Sequence, residues 1–372
     1  MPIPVSYTRQ MEAKPVMEKS PMPRRKGRAA AFNTPNRFDP VTLELDPAEL
    51  TAEELRQVPT IFFDDKSRTI LSKNNSPDIP FTYSINPYRG CEHGCIYCYA
   101  RPSHEYLGWS AGLDFETRIL VKRDAPELLS RAFQKTSWQP QVICLSGNTD
   151  PYQPAERQLK LSRGCLKVFL RHRNPVSIIT KNHLVTRDLD LLGALARRNL
   201  VSVSVSVTSL RPELASTMEP RTSTPRRRLD AVQTLADAGV PVGVMVAPIV
   251  PGLTDEEVPA ILKAAAQHRA RWAGYVILRL PGPVAPLFVD WLSATWPDRK
   301  DKVLRRIQEL RGGKLTDSAF GRRMRGQGIW AETLTSLFKT TCRSLNLNQP
   351  RLPLSTDQFR RLADNQRSLF DE

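Results

Sequence analysis

The stretch "VSVSVSV", Val201–Val207, has two different faces. Side chains along a strand alternate with period two, so Val201, Val203, Val205 and Val207 share one face and Ser202, Ser204 and Ser206 the other. A parallel strand covered by helices on both faces should be apolar throughout. A full serine face therefore marks either a polar lumen in which something binds or a half-exposed edge strand.

Working outward, the runs Thr82–Ile85, Gln141–Leu145, Val176–Thr180, Val240–Ala247 and Gly274–Leu280 also read as strands. Between them lie helical segments near Ala125–Lys135, Ala155–Arg171, Arg187–Arg198, Arg226–Ala238 and Asp255–Arg271, several introduced by Pro, Asp or Thr. Strands alternating with helices are the pattern of parallel β/α units, which places the chain in the α/β class. Residues 1–60 carry recurrent prolines and the basic run "PRRKGR" without apolar periodicity, and read as an extended, largely disordered N-terminal region. Residues 61–297 hold the β/α series, and residues 298–372 a basic helical C-terminal region.

No apolar run approaches the roughly 20 residues of a membrane span, and no secretory signal is legible, so the expected location is the cytoplasm. The balance of 54 Lys+Arg against 38 Asp+Glu, a formal charge of +16, favours an anionic partner such as nucleic acid. Of six cysteines, Cys144, Cys165 and Cys342 are scattered without the spacing of a disulfide framework. The other three stand together in "NPYRGCEHGCIYCYARPSHEYLG", Asn86–Gly108.

Cys91, Cys95 and Cys98 are compact enough for one loop to wrap one metal centre, with Gly90 and Gly94 allowing the tight turns. Thiolates point to zinc or iron–sulfur. Zinc wants four protein ligands and would have to recruit His93 or His104; the function would then be that of a zinc-stabilised nucleic-acid-binding protein. An iron–sulfur cluster on three thiolates leaves one iron open to a ligand that is not protein.

At this point the sequence resembles a family. Cys91-x3-Cys95-x2-Cys98 after the first strand of a β/α series, with aromatic Tyr97 before the last cysteine, resembles the motif of radical S-adenosylmethionine (SAM) enzymes. Together with "SGNTDPYQPAE", "TKN", "MEPRTSTPRRRLDAVQTLADAGVPVGVMVAPIVPGLTD" and "VILRLPGPV", it is similar to an uncharacterised bacterial group related to spore photoproduct lyase, over roughly Asp64 to Leu347. The resemblance implies a partial (β/α)6 TIM-like barrel, a 4Fe-4S cluster on the three cysteines, and SAM on the open iron. It also implies reductive cleavage of SAM to a 5′-deoxyadenosyl radical, fed by a flavodoxin- or ferredoxin-like electron donor.

The resemblance further assigns residues. Tyr97 matches the aromatic position near the SAM adenine, and core packing explains its ring equally well. Asn148, Thr149 and Asp150 stand where the family holds the SAM amino group. The common form there ends in glutamate, and Asp150 is preferred over Glu156, which reads as a helix-start charge. Lys181 would pair with the SAM carboxylate, Ser204 and Ser206 would face ribose or carboxylate, and Arg228 would clamp the carboxylate. Ile249 and Gly252 would pack against adenine. For each of these the alternative is a fold-stabilising ion pair or turn residue. The lyase also uses a cysteine as hydrogen donor, and Cys144 does not stand at a matching position.

Overall fold

The computed structural model describes residues 25–39, 58–350 and 353–362 of the chain. Its strands are β1 (Ile61–Asp64), β2 (Leu71–Lys73), β3 (Tyr83–Ile85), β4 (Tyr88–Arg89), β5 (Arg118–Val121), β6 (Ile143–Leu145), β7 (Val176–Thr180), β8 (Val201–Ser206), β9 (Val242–Ile249) and β10 (Ala273–Ile277). The serine-faced strand is β8, and it is central. It pairs in parallel with β7 on one side and β9 on the other, so the half-exposed edge reading falls away.

Six strands, in the order β3-β6-β7-β8-β9-β10, run parallel, with β2 added antiparallel to β3 at one edge. Consecutive parallel neighbours joined by helical crossovers make a partial (β/α)6 barrel. All six expected strands are present. Val201, Val203 and Val205 are fully buried in the main core with Leu229, Val232 and Leu235 of the helix Pro225–Asp237. That leaves Ser202 and Ser204, partly open, on the concave side.

The local sequence explains the helix that covers β8. Thr224 caps it by accepting from the Arg227 amide, Pro225 starts it, and Gly239 at φ 74° follows its end.

A second small sheet, β1-β5-β4, stands beside the first, and its short strand β4 leads directly into the cysteine loop. Across that loop runs a piece of the N-terminal region. Ala29, Ala30 and Ala31 are buried, and the amides of Ala29 and Ala30 donate to the Glu116 carboxylate at 3.1 and 2.9 Å. Arg28 donates to the carbonyls of Glu116 and Val58. The expected disorder of residues 1–60 therefore does not hold for 25–39, because a buried carboxylate supplies the partners that the segment's own composition lacks. The poorly patterned residues 1–24 and 40–57 lie outside the described residues.

The C-terminal helices pack onto the barrel. Pro297–Leu310 inserts Val303 and Ile307 beside Phe288 and Trp291, and Ile329–Ser344 places Leu334, Phe338 and Cys342 in the main core.

Among the described residues the seven-stranded sheet does not close on itself: β10 and β2 are its two edges. A segment after the helix Pro297–Leu310 spans the gap. The Ile277 amide donates to the Met324 carbonyl at 3.0 Å, while Asp78, in the β2–β3 connection, accepts from the Gly321 amide at 2.8 Å and pairs with Arg323. The Gly321 hydrogen bond, with the Arg323 guanidinium, holds the Asp78 carboxyl below its ordinary range. A depressed carboxyl stabilises the folded contact above its unfolded pKa and loses that contribution as pH falls through the folded value. Asp78→Ala should accordingly lower the protection factors of the Gly321 and Ile277 amides, measured against the intrinsic exchange rate at each pH, as should acidification of the wild type. Unchanged exchange at both amides in Asp78→Ala would show that the clasp does not hold this edge.

Candidate functional site

The cysteine loop sits at the carboxyl end of β3, where the sites of parallel β/α folds are built. Two glycines let it turn. Gly90 (φ 80°) and Gly94 (φ 64°) take left-handed conformations, and a Cβ on Gly94 would lie 2.6 Å from Glu116 Oε2. The loop is then held from three sides.

On the first side Arg101, fully buried, donates to the carbonyls of Gly94 (3.0 Å), Cys95 (3.0 Å), Ala111 (3.1 Å) and Gly112 (2.9 Å) and pairs with buried Glu116. On the second, the turn after β6 grips it. Gln153 accepts from the Glu92 amide and donates to the Gly90 carbonyl. His93 Nδ1 lies 3.3 Å from Asp150 Oδ2, and its Nε2 lies 3.1 Å from Asn182 Nδ2. Asn182 Oδ1 is taken by the Leu184 amide and the Ser223 hydroxyl, so its NH2 group faces His93, whose Nε2 accepts and whose Nδ1–H donates to Asp150.

On the third side the Ile96 amide donates to Met218 O at 3.0 Å, and the Tyr97 hydroxyl donates to buried Glu219. Glu219 also accepts from Thr208 Oγ1 at 2.7 Å, pairs with Arg228, and lies 3.7 Å from Lys181 Nζ. Burial raises the Glu219 carboxyl, opposed by Arg228.

The thiols of Cys91, Cys95 and Cys98 are all pushed up, burial being the largest cause. Cys91 is raised further by the negative charges of Asp150, Cys95 and Cys98, so the thiols are close enough to oppose one another's ionisation. Three thiolates can coexist there only with a multivalent cationic centre between them, which is what an iron–sulfur cluster supplies. A structural zinc would need a fourth protein ligand beside the three thiols. His93 has both nitrogens engaged, and His104 is buried, held down to about 4 chiefly by burial, with Nε2 on Arg118 O.

The structure brings most of the expected residues to this loop. Asn148 and Thr149 direct their amides at Asn86 Oδ1, both at 3.0 Å, which ties the turn to the end of β3. Asp150 accepts from Thr180 Oγ1, the Tyr152 amide, the Lys181 amide and His93, which occupies its acceptor positions. Lys181 reaches across to the Ala247 carbonyl at 2.9 Å and stands over the Tyr97 ring. Burial pushes its ammonium down to about 8. Ser204 lies on the concave face, and nearly buried Ser206 gives its carbonyl to Arg228.

Arg228 is spent on Glu219, Ser206 O, Ser223 O and Thr222, so its guanidinium orients the site from behind. Two residues are elsewhere. Ile249 is buried in the main core, and Gly252 lies against Lys302 and Val303 of the helix Pro297–Leu310.

Sequence reading missed Glu219, Glu116, Arg101 and Gln153. Their type gives no signal, and their burial comes only with the fold. Glu156 is also more than a helix-start charge: fully buried, it accepts from Tyr88, the Ser162 and Arg163 amides and Arg187. Cys144 is fully buried on β6, its thiol pushed up to about 12 by burial.

Comparison with known proteins agrees with this geometry. Residues 85–265 match the family model of the Radical SAM superfamily. An uncharacterized protein of Mycobacterium tuberculosis is 38% identical over 238 residues, 63% of this chain and 69% of that one. An uncharacterized protein of Methanocaldococcus jannaschii is 32% identical over 178 residues, 47% of this chain and 63% of that one. Among solved structures, spore photoproduct lyase with bound AdoMet and dinucleoside spore photoproduct superposes with a TM-score of 0.56 at 16% identity, covering 76% of this chain and 78% of that one. At that identity the likeness concerns the fold. The thiol loop, the parallel sheet that carries it and these matches together place the chain in the radical SAM superfamily, to which it belongs.

Proposed function

We propose that the chain reductively cleaves SAM at a 4Fe-4S cluster on Cys91, Cys95 and Cys98, and that the resulting 5′-deoxyadenosyl radical acts on an anionic substrate in the serine-lined lumen. The carrying observation is the loop itself: three cysteines on one turn, Cys91 and Cys95 buried and Cys98 partly so, locked from three sides. The bound cluster and SAM supply one-electron bond cleavage and a hydrogen-abstracting species. The chain supplies position, charge and exclusion of water.

In this reading Lys181 receives the SAM carboxylate. Its Nζ has three N–H donors, of which one is on Ala247 O and another faces Glu219, leaving one for the lumen. Ser204 and Asn148 offer partly open polar groups for the ribose and amino ends. Asp150 acts one step back, fixing His93 and the backbone of Lys181, and Arg228 does the same through Glu219. Tyr97 packs at the loop's own turn.

One residue supports an anionic substrate, and it stands near Tyr99, an exposed ring whose hydroxyl donates to the Gly147 carbonyl. Arg279, whose charge is felt at Tyr99, is lowered by burial and by neighbouring Arg323, and its own hydrogen-bond partner is the Met324 thioether at 3.6 Å. A thioether is a weak acceptor, so this guanidinium is available to a phosphate or carboxylate. Nucleic acid is the substrate class that the net charge favours. The arginines Arg322, Arg323 and Arg325 are less available, being engaged with Asp317, Asp78 and the Tyr275 ring.

Anaerobically reconstituted protein, reduced with dithionite, should convert SAM to 5′-deoxyadenosine, and alanine at any one of the three cysteines should remove this activity with most of the iron. Product formation by the triple alanine variant would overturn the reading. Lys181→Ala should keep its iron but bind SAM about ten- to hundredfold more weakly, the loss of one hydrogen bond to a charged group. Undiminished SAM affinity would move the carboxylate elsewhere. Arg101→Lys keeps a charge but not the planar fork, so iron retention and thermal stability should both fall. Wild-type iron content in that variant would mean that the loop holds its shape unaided.

A further inference from the structure

A cavity of about 490 Å³ lies away from the cysteine loop, between the edge strand β2 and the helix Ala125–Gln134. Three cations line it: Arg68 on the chain entering β2, and Arg131 and Lys135 one turn apart at the end of the helix. All three are exposed, and none has an anionic partner among the described residues. Like charges one turn apart repel weakly in water, and an anion placed between them and Arg68 would relieve that repulsion.

The rest of the lining is mostly apolar, with Thr69 and Ser137 as its polar members. Leu71 and Tyr83 stand on its wall, and Tyr83 meets Trp138 edge-on at 5.3 Å and 72°. Trp138 is itself fixed by its indole N–H on Asn174 Oδ1 at 3.1 Å. A half-buried tyrosine held in place beside a cluster of guanidinium and ammonium groups is the pairing that receives a base and its phosphate. The volume is within the range of small-molecule sites.

We propose that this cavity binds a nucleoside phosphate, free or within a strand, with the base on Tyr83 and Leu71 and the phosphate between Arg68, Arg131 and Lys135. None of these residues belongs to the cysteine loop or its supports, so the proposal stands whether or not the radical chemistry does.

The test is equilibrium binding to the cluster-loaded full chain, with SAM present in excess to fill its own site. The probes are AMP, inorganic pyrophosphate and a short oligothymidylate, against wild type, Arg131→Ala/Lys135→Ala and Tyr83→Leu. The double variant should lose at least about tenfold in affinity for whichever probes bind, through lost charge-assisted contacts. Tyr83→Leu should weaken AMP or the oligonucleotide by about tenfold or more and leave pyrophosphate unchanged, as lost stacking requires. Tighter AMP binding identifies a free nucleotide as the ligand. Tighter oligonucleotide binding, with a salt dependence made shallower in the double variant, identifies a strand. Unchanged circular dichroism and melting temperature in both variants should show that they are folded. Equal affinities in wild type and the double variant, or no binding of any probe, would overturn the proposal.

Discussion

The guanidinium of Arg101 and the carboxylate of Glu116 are both fully buried, and neither is tolerable there without the other. Removing one partner of such a pair costs about 3–5 kcal/mol, because the remaining charge has no water to return to. Here the pair does more than neutralise itself. Arg101 spends its remaining donors on four carbonyls of the cysteine loop and its flank, and Glu116 spends its remaining lone pairs on the amides of Ala29 and Ala30. The shape of the thiol loop and the path of the segment that covers it are thus set by one interaction.

Two further carboxylates, Glu219 fully buried and Asp150 nearly so, extend the same logic. Asp150, after β6, holds His93, and Glu219, after the helix Pro212–Met218, holds Tyr97. With Glu116 they fasten the loop to three separate parts of the fold, so that three thiols with every reason to stay apart are kept together. Each carboxylate is saturated by donors of the chain itself. That is why Asp150 and Arg228 have their hydrogen-bonding capacity taken up by the chain itself, while Lys181 keeps a donor to spare.

The barrel was legible because strands advertise themselves by period. The valine face of β8 and the five neighbouring apolar runs required no long-range information, and Thr224-Pro225 announced a helix start. The cysteine spacing was legible because three ligands on one loop are local. What the sequence concealed is what depends on burial across long separations. Ala29 and Ala30 meet Glu116 across 87 and 86 residues, and their alanines carry no pattern that distinguishes a packed segment from a loose one. Glu219 looks like any surface acid until Tyr97, 122 residues away in sequence, is placed on it. Ile249 was expected near the cofactor, yet its side chain went to the outer core; pairing along β9 and β10 shifts register just there, and period alone cannot foresee such a shift.

The central claim is that three thiolates hold a cluster with one iron open to SAM. Electron paramagnetic resonance of the reconstituted, reduced protein tests it most directly, recorded with and without SAM. The account predicts a reduced-cluster signal whose g values shift when SAM is added, because SAM enters the coordination sphere of the iron that lacks a cysteine. A signal indifferent to SAM, or a purified protein carrying zinc in place of iron, would contradict it.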